Sequence, residues 1–185
     1  TQLSNLFKDG AWTFAAQFPE RIRALAVLNA PHPLAFRDVL LRHPTQVARS
    51  WYMALFQIRG LPEHLLRGEP HRLIGRALRG AAGRPEVFTD EDVDLNVRAL
   101  LAPSVLESAL AYYRAIPRSF LQSRALARPV RAPVLVLWGD RDPALSVELI
   151  DAARPYVGGR FEVRRFAGAG HWLPQEEPDA VWQAI

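Results

Sequence analysis

Two patterns of apolar positions divide the chain. Residues 25–28 (LAVL) and 134–138 (VLVLW) are continuous apolar runs, and residues 160–165 (RFEVRR) form a third strand-like run. Continuous runs of this length are typical of strands covered on both faces, as in a parallel sheet. A helical pattern at 11–18 precedes the first run, and another at 145–156 precedes the third. Helix followed by strand, repeated in this way, predicts an α/β fold.

The middle of the chain has a different pattern, because no strand is predicted between residues 34 and 128. The predicted helices there are 35–43, 45–58, 62–67, 71–79, 90–101 and 103–116, separated by turns rich in Gly and Pro. Thr89 is a suitable N-cap for the helix at 90–101. We therefore predict a core of residues 1–33 and 129–185, with residues 34–128 inserted as a helical cap. A last helix is expected at 175–185.

Composition excludes several classes of function. The 185 residues include no cysteine, which excludes disulfides and thiolate metal sites and fits a cytoplasmic protein. The net charge of +4 comes from scattered arginines, with Lys8 as the only lysine. This bias is typical of a GC-rich, bacterial genome, and the scatter argues against nucleic-acid binding. No apolar run approaches twenty residues, so no membrane span is expected.

Candidate chemistry lies where two of the predicted strands end. Asp142 follows 134–138, and His171 lies in a glycine-flanked loop (FAGAGHWLPQ, 166–175) after 160–165. The carboxyl ends of parallel strands meet at one edge of a sheet, so Asp142 could orient the His171 ring. Asp140 is the rival acid. The alternatives are that either acid caps the next helix, and that His171 has only a structural role.

Four passages then resemble the epoxide hydrolases of the α/β-hydrolase superfamily. They are ERIRALAVLNAPHP (20–33), RSWYMALFQIRGLPE (49–63), ALAYYRAIPR (109–118), and VLVLWGDRDPAL together with GAGHWLPQEEP. The resemblance implies a partial α/β-hydrolase fold, the C-terminal part of the parallel sheet with a helical cap. It implies Asp142 and His171 as acid and base, Tyr52 and Tyr113 as cap tyrosines, and substrate contacts for three further aromatic residues, Trp51, Phe56 and Trp172. Without it, the tyrosines would be interpreted as core aromatics of a lid.

The family chemistry implied here has two steps and needs no metal or organic cofactor. A carboxylate opens a small hydrophobic epoxide to form an alkyl-enzyme ester, and the cap tyrosines hold the epoxide oxygen. The histidine then activates water and a vicinal diol leaves. A G-H-D-W-G-G-like nucleophile segment and an H-G-x-P segment are not found. Asp9 is a poor substitute, because no strand precedes it and it lies three residues before Trp12.

We therefore expect a truncated chain that is inactive alone. It does not begin with Met, and its predicted sheet has an apolar edge through which it could self-associate. Two other functions stay open. One is a haloalkane or fluoroacetate dehalogenase-like hydrolase, in which a tryptophan such as Trp51 would bind halide. The other is a non-catalytic remnant that binds a partner.

Overall fold

The protein is described by a computed structural model over residues 3–121 and 128–185. Its elements follow one another as α1 (Leu3–Gln17), β1 (Leu25–Leu28), α2 (Pro33–Arg42), α3 (Pro44–Arg49), α4 (Trp51–Gln57), α5 (Leu61–Gly68), α6 (Pro70–Ala81), α7 (Asp90–Leu101), α8 (Val105–Leu121), β2 (Val134–Gly139), α9 (Glu148–Ala153), β3 (Phe161–Phe166), α10 (Leu173–Glu176) and α11 (Pro178–Ala184).

The three strands form one parallel sheet in the order β1-β2-β3. Leu25 pairs with Val134, and Val134 pairs with Phe161, so the strands start level and all end at the same edge. The central strand β2 is buried along almost its whole length, whereas β3 is more exposed, as an edge strand should be. The predicted α/β fold with a parallel sheet is confirmed.

Helices cover both faces of this sheet. Val134, Val136 and Trp138 alternate along β2 and point to the face that carries α1 and α9. Leu137 points to the other face, where it packs with a cluster of apolar residues from the β3–α10 loop, α10 and α11: Ala169, Leu173 and Val181. Because successive side chains of a strand point to opposite faces, β2 contributes to the apolar layer on each face of the sheet.

Only helices and short turns occur between residues 34 and 121 in the described structure. A second apolar cluster holds α6 and α7 together, with Ile74, Leu78, Val93 and Val97 at its centre. Helix α2 does not join this second cluster. It contributes Val39 to the cluster that packs between the sheet and helices α1 and α9. Residues 122–127 of the predicted cap lie outside the described residues, and the cap limits of 34 and 128 stay a prediction.

Thr89 caps α7 as predicted. Its hydroxyl oxygen accepts a hydrogen bond from the amide of Asp92 at 3.2 Å, and the Asp92 carboxylate accepts one from the Thr89 amide at 2.9 Å. This reciprocal pair satisfies amides that the first turn of a helix would otherwise leave unbonded. The predicted bounds of this helix, 90–101, agree with the structure.

Other predicted bounds were wrong. Helix α1 begins at residue 3, well before the predicted 11. The single helix predicted at 45–58 is two helices separated at Ser50, whose hydroxyl accepts a hydrogen bond from the Gln46 side chain at 3.1 Å. The helix predicted at 175–185 is also divided. Glu177 leaves the helical conformation because it precedes Pro178, and the ring of a proline disfavours a helical residue before it.

The helix predicted at 145–156 begins later, at Glu148, and ends in a 3₁₀ turn at Arg154–Tyr156. The amides just before this start donate to side chains. The Asp142 carboxylate accepts from the Leu145 amide at 3.0 Å, and Gln46 accepts from the Ser146 amide at 3.0 Å. These contacts shape the turn that carries the candidate site.

Candidate active site

Asp142 lies in the turn after β2 and is almost completely buried, at 2% exposure. Its Oδ1 accepts hydrogen bonds from the amides of Ala144 and Leu145 at 2.8 and 3.0 Å. Its Oδ2 lies 2.6 Å from His171 Nδ1. Burial raises the pKa of this carboxyl, but the hydrogen bonds and the charge of His171 outweigh it and hold the pKa below its usual value. Asp142 therefore stays ionised.

His171 is held from the loop that follows β3. Its backbone amide donates to the carbonyl of Ala81 at 2.8 Å, and its side chain is 15% exposed. An ionised carboxylate can only accept, so Nδ1 of the neutral ring donates to Asp142. This fixes the tautomer and assigns any exchange of a proton with water to Nε2. The predicted acid and histidine are thus in contact.

Asp140, the rival acid, lies elsewhere. Its Oδ1 accepts a hydrogen bond from Arg165 Nε at 2.8 Å, on the exposed side of β3. The two acids are only two residues apart, but their side chains have different partners. The Asp9 side chain lies outside the part of the structure that is described.

Asn29 completes the acid site, and sequence reasoning did not select it. It follows β1, is fully buried and has a φ of 41°, a left-handed conformation that asparagine tolerates better than most residues. Its Nδ2 donates to Asp142 Oδ2 at 2.6 Å, while its Oδ1 accepts from the Gly139 amide at 2.9 Å. A buried polar residue at the carboxyl end of a strand was the available signal.

The two cap tyrosines meet each other. Tyr52 on α4 and Tyr113 on α8 have ring centroids 5.9 Å apart and nearly perpendicular planes, and Phe56 packs on both rings. Burial raises the pKa of both phenols, and the negative charge of Asp142 raises that of Tyr52 further. Both hydroxyls therefore keep their protons at neutral pH and act as neutral hydrogen-bond donors.

Arg114 joins the two helices that carry these tyrosines. Its Nε donates to the carbonyl of Phe56 at 2.8 Å, and its Nη1 forms an ion pair with Glu63 at 2.8 Å. The Gln57 side chain adds a hydrogen bond to the carbonyl of Tyr113 at 3.2 Å. The relative position of Tyr52 and Tyr113 thus depends on polar contacts beside the aromatic cluster.

The three predicted substrate-contacting aromatics have different environments. Phe56 belongs to the tyrosine cluster. Trp172 packs against His171 and Phe88, and its Nε1 donates to the carbonyl of Leu78 at 3.0 Å. Trp51 is 66% exposed and touches the cluster only through an edge contact with Tyr52. Substrate binding by these residues stays a prediction, and Trp51 has the weakest support.

Among the side chains that the structure describes, in residues 10–118 and 128–185, no group of three His, Asp or Glu is arranged to hold a metal ion. In residues 3–121 and 128–185, no helix is both long enough and apolar enough to cross a bilayer.

Comparison with known proteins gives a consistent family relationship. Human epoxide hydrolase 4 is 31% identical over 179 residues, which cover 95% of this chain and 49% of the human protein. Epoxide hydrolase 3 of Xenopus tropicalis is 35% identical, covering 95% of this chain and 48% of the relative. This chain is an epoxide hydrolase relative with a partial α/β-hydrolase fold. No family model matches it.

A solved structure extends this relationship to the fold. The epoxide hydrolase of Bacillus megaterium, crystallised with an inhibitor, superposes with a TM-score of 0.74 at 28% identity and covers 94% of this chain and 62% of that structure. The chain spans about half the length of the curated epoxide hydrolases that it matches. The resemblance to this family is confirmed on both sequence and fold.

Proposed function

We propose that this chain supplies the acid–base pair and the cap tyrosines of an epoxide hydrolase that converts a small hydrophobic epoxide into a vicinal diol. The observation that carries the proposal is the edge-to-face pair of Tyr52 and Tyr113. Two neutral donors close together suit a strained ring oxygen, which must gain a proton or a hydrogen bond as its C–O bond breaks. An acid–histidine pair by itself fits many hydrolases.

In the proposed first step, a carboxylate attacks one epoxide carbon and displaces the ring oxygen. An ester bond forms, one C–O bond of the ring breaks, and the oxygen takes up a proton through the phenols of Tyr52 and Tyr113. The family relationship implies the attacking carboxylate, and the residues described here act on the leaving oxygen. Aromatic neighbours such as Phe56 favour an apolar substituent on the substrate.

In the second step, His171 Nε2 takes a proton from water, and the resulting hydroxide attacks the ester carbonyl. The ester C–O bond breaks as the imidazolium returns its proton to the leaving diol oxygen. The carboxylic acid that forms gives its proton to the phenolate left by the first step, so the carboxylate and both phenols are regenerated. Ionised Asp142 stabilises the imidazolium that forms and holds the ring in the required tautomer. The depressed pKa of Asp142 supports this role, because the carboxylate keeps its charge throughout the cycle.

The test is a fusion of this chain to the part of the Xenopus tropicalis relative that it does not match. We expect the fusion to form diol from styrene oxide. His171→Gln should lower turnover by about 10²–10⁴-fold and leave ester on the protein after one equivalent of epoxide. Tyr52→Phe with Tyr113→Phe should lower ring opening by at least about 10²-fold, and Tyr112→Phe is the matched control.

The same assay distinguishes epoxide hydrolysis from dehalogenation. A folded fusion that releases halide from a haloalkane but makes no diol would favour the dehalogenase function. Full ring opening in the double tyrosine variant would also contradict the epoxide proposal. A folded fusion inactive on both substrates would support the non-catalytic interpretation.

We also propose that the chain self-associates through the open edge of β1. Leu25 and Asn29 donate their amides to β2, at 2.9 and 3.0 Å. Because amides alternate sides along a strand, those of Ala26 and Leu28 point away from β2. Such an edge can pair with another strand.

A further inference from the structure

Glu176, the last residue of α10, is a buried carboxylate at 1% exposure. Four backbone amides donate to it. Gly170 reaches both oxygens at 3.0 Å, Trp172 reaches Oε1 at 3.2 Å, and Gly83 and Arg84 reach Oε2 at 2.7 and 3.2 Å. A buried carboxylate is costly unless hydrogen bonds compensate for its lost hydration, and convergent amides do this. The burial of Glu176 among backbone donors therefore indicates a structural role and not a contribution to solubility.

The amides come from two separate segments. Gly170 and Trp172 flank His171, whereas Gly83 and Arg84 follow α6 in the helical region. The amide of His171 itself donates to the carbonyl of Ala81, so three consecutive amides of the histidine loop are held. The amides of Gly170 and Trp172 donate to Glu176, and the amide of His171 donates to Ala81, close to the two other amides that Glu176 accepts.

Glycines make this contact between the two segments possible. A Cβ atom on Gly83 would overlap the carbonyl oxygen of Gly168, and one on Gly170 would overlap the carbonyl oxygen of Ala81. The backbones approach as closely as only glycine permits. Trp172 adds a side-chain contact to the same region through Leu78.

We infer that Glu176 is a positioning residue for His171, which it joins to segment 81–84 at the end of α6 so that the ring meets Asp142. The inference rests on the role proposed above for His171. Small changes at a positioning residue can misplace a catalytic ring because reacting groups must be held within fractions of an ångström. A displacement of segment 81–84 would reach His171 through the same hydrogen bonds.

The test compares Glu176→Gln with Glu177→Gln in this chain. The NH2 group of glutamine cannot accept a hydrogen bond, so the amides that donate to one of the two carboxylate oxygens lose that acceptor. Glu177 lies beside Glu176, and its carboxylate pairs with Arg84 at 3.1 Å nearer the surface. Both changes remove one negative charge from the same segment. They differ in whether the amides around His171 lose their acceptor.

Two readouts in the folded chain report on the ring and its loop. The ¹⁵N shifts of the His171 ring show which nitrogen carries the proton while the ring is neutral. We expect wild type and Glu177→Gln to hold the Nδ1–H form and Glu176→Gln to become a mixture of both tautomers. Hydrogen exchange of the Gly170 and Trp172 amides should be at least about tenfold faster in Glu176→Gln and unchanged in Glu177→Gln.

A folded Glu176→Gln variant with wild-type ring shifts and wild-type exchange would overturn the inference. If this variant does not fold, Glu176→Asp takes its place, because it keeps the charge and withdraws the carboxylate by one methylene. Hydrogen exchange in the wild-type chain is a second test. Rapid exchange of the Gly83 and Gly170 amides there would also overturn the inference. Neither readout needs epoxide turnover, so failure here and failure of the proposed hydrolase activity are distinguishable.

Discussion

His32 is fully buried, with its ring stacked on Tyr156 at a centroid distance of 4.4 Å and edge-on to Trp12 at 5.1 Å. Its Nδ1 accepts the Leu34 amide at 3.3 Å and thereby caps α2. A proton on this ring would bring a charge into an apolar site. Burial therefore lowers the pKa of His32 from 6.5 to about 4, although the charge of Asp38 opposes the shift.

This shift predicts how stability depends on pH. The folded pKa lies below the unfolded value, so the contribution of His32 is complete above pH 6.5 and is lost as the pH falls toward 4. Between these two pH values, His32 is protonated in the unfolded chain and neutral in the folded chain. The free energy of unfolding should fall by about 3 kcal/mol between these limits. Urea unfolding at half-unit pH steps measures it.

The control for this prediction is His64→Gln, because His64 is exposed on α5. It should keep the wild-type slope between pH 6.5 and 4, whereas His32→Gln should have a shallower one. Equal slopes for wild type and His32→Gln would show that another group titrates. The slope is compared within each variant, so a general loss of stability in His32→Gln does not affect the result.

At the scale of elements, α4 and α8 are joined by Arg114 as well as by aromatic packing. The guanidinium bonds two carbonyls at the end of α4, those of Phe56 and Ile58, and pairs with Glu63 on α5. Carbonyls at the end of a helix have no partner within it, so this arginine acts as a C-terminal cap from another helix.

We expect Arg114→Met to lower the free energy of unfolding by about 1–3 kcal/mol, because it leaves the partly buried Phe56 carbonyl without its side-chain donor and Glu63 without its ion-pair partner. The methionine keeps an unbranched apolar stem. Near-ultraviolet circular dichroism should also lose tyrosine signal, since the Tyr52–Tyr113 pair is no longer held. Arg118→Met, an exposed position on the same helix, is the control. An unchanged tyrosine spectrum in folded Arg114→Met would contradict this role.

At the scale of the whole molecule, the sheet has two edges, β1 and β3, among the described residues. The two edges differ in chemistry. The β3 edge carries the charged residues Glu162, Arg164 and Arg165, which discourage pairing with another sheet. The β1 edge has only Leu, Ala and Val side chains. Association through β1 is therefore the more favourable of the two.

Ala26→Pro tests this edge. Proline removes the outward amide of residue 26 and leaves the bonds from Leu25 and Asn29 to β2 in place, as edge strands tolerate. We expect sedimentation velocity to show concentration-dependent association of the wild type and a single smaller species for Ala26→Pro. Ala26→Val keeps the amide and is the control. A wild type that stays monomeric up to millimolar concentration, or an Ala26→Pro variant that associates equally, would contradict the proposal.

Prediction from sequence succeeded where the signal is local. The run at 25–28 became β1 unchanged, and Thr89 caps the start of α7, because the strand preference of an apolar run and side-chain capping act within a few residues. It failed where a distant partner competes for the backbone. The turn before α9, where a helix was predicted, is held by a distant residue, because the Ser146 amide donates to Gln46, a hundred residues away in the chain.

The candidate site divides in the same way. Asp142 and His171 were predictable because each follows a strand, and parallel strands bring their carboxyl ends to one edge. Asn29 and Glu176 were not selected, since each acts on groups in other segments: a carboxylate 113 residues away for Asn29, and amides up to 93 residues away for Glu176. The position of Asn29 directly after a strand was a signal, but no pattern of apolar and polar positions shows which distant group a side chain contacts.

The sequence by itself therefore determined the α/β class, the three strands, the run of helices between the first two strands, and the two loops that carry His171 and its candidate acids, because these follow from periodicity, turn chemistry and strand order. Only the tertiary structure decided which carboxylate contacts His171, how the two cap tyrosines meet, and which buried groups hold them there. Those features depend on hydrogen bonds between segments far apart in the chain, whose partners are set only when the layers pack together.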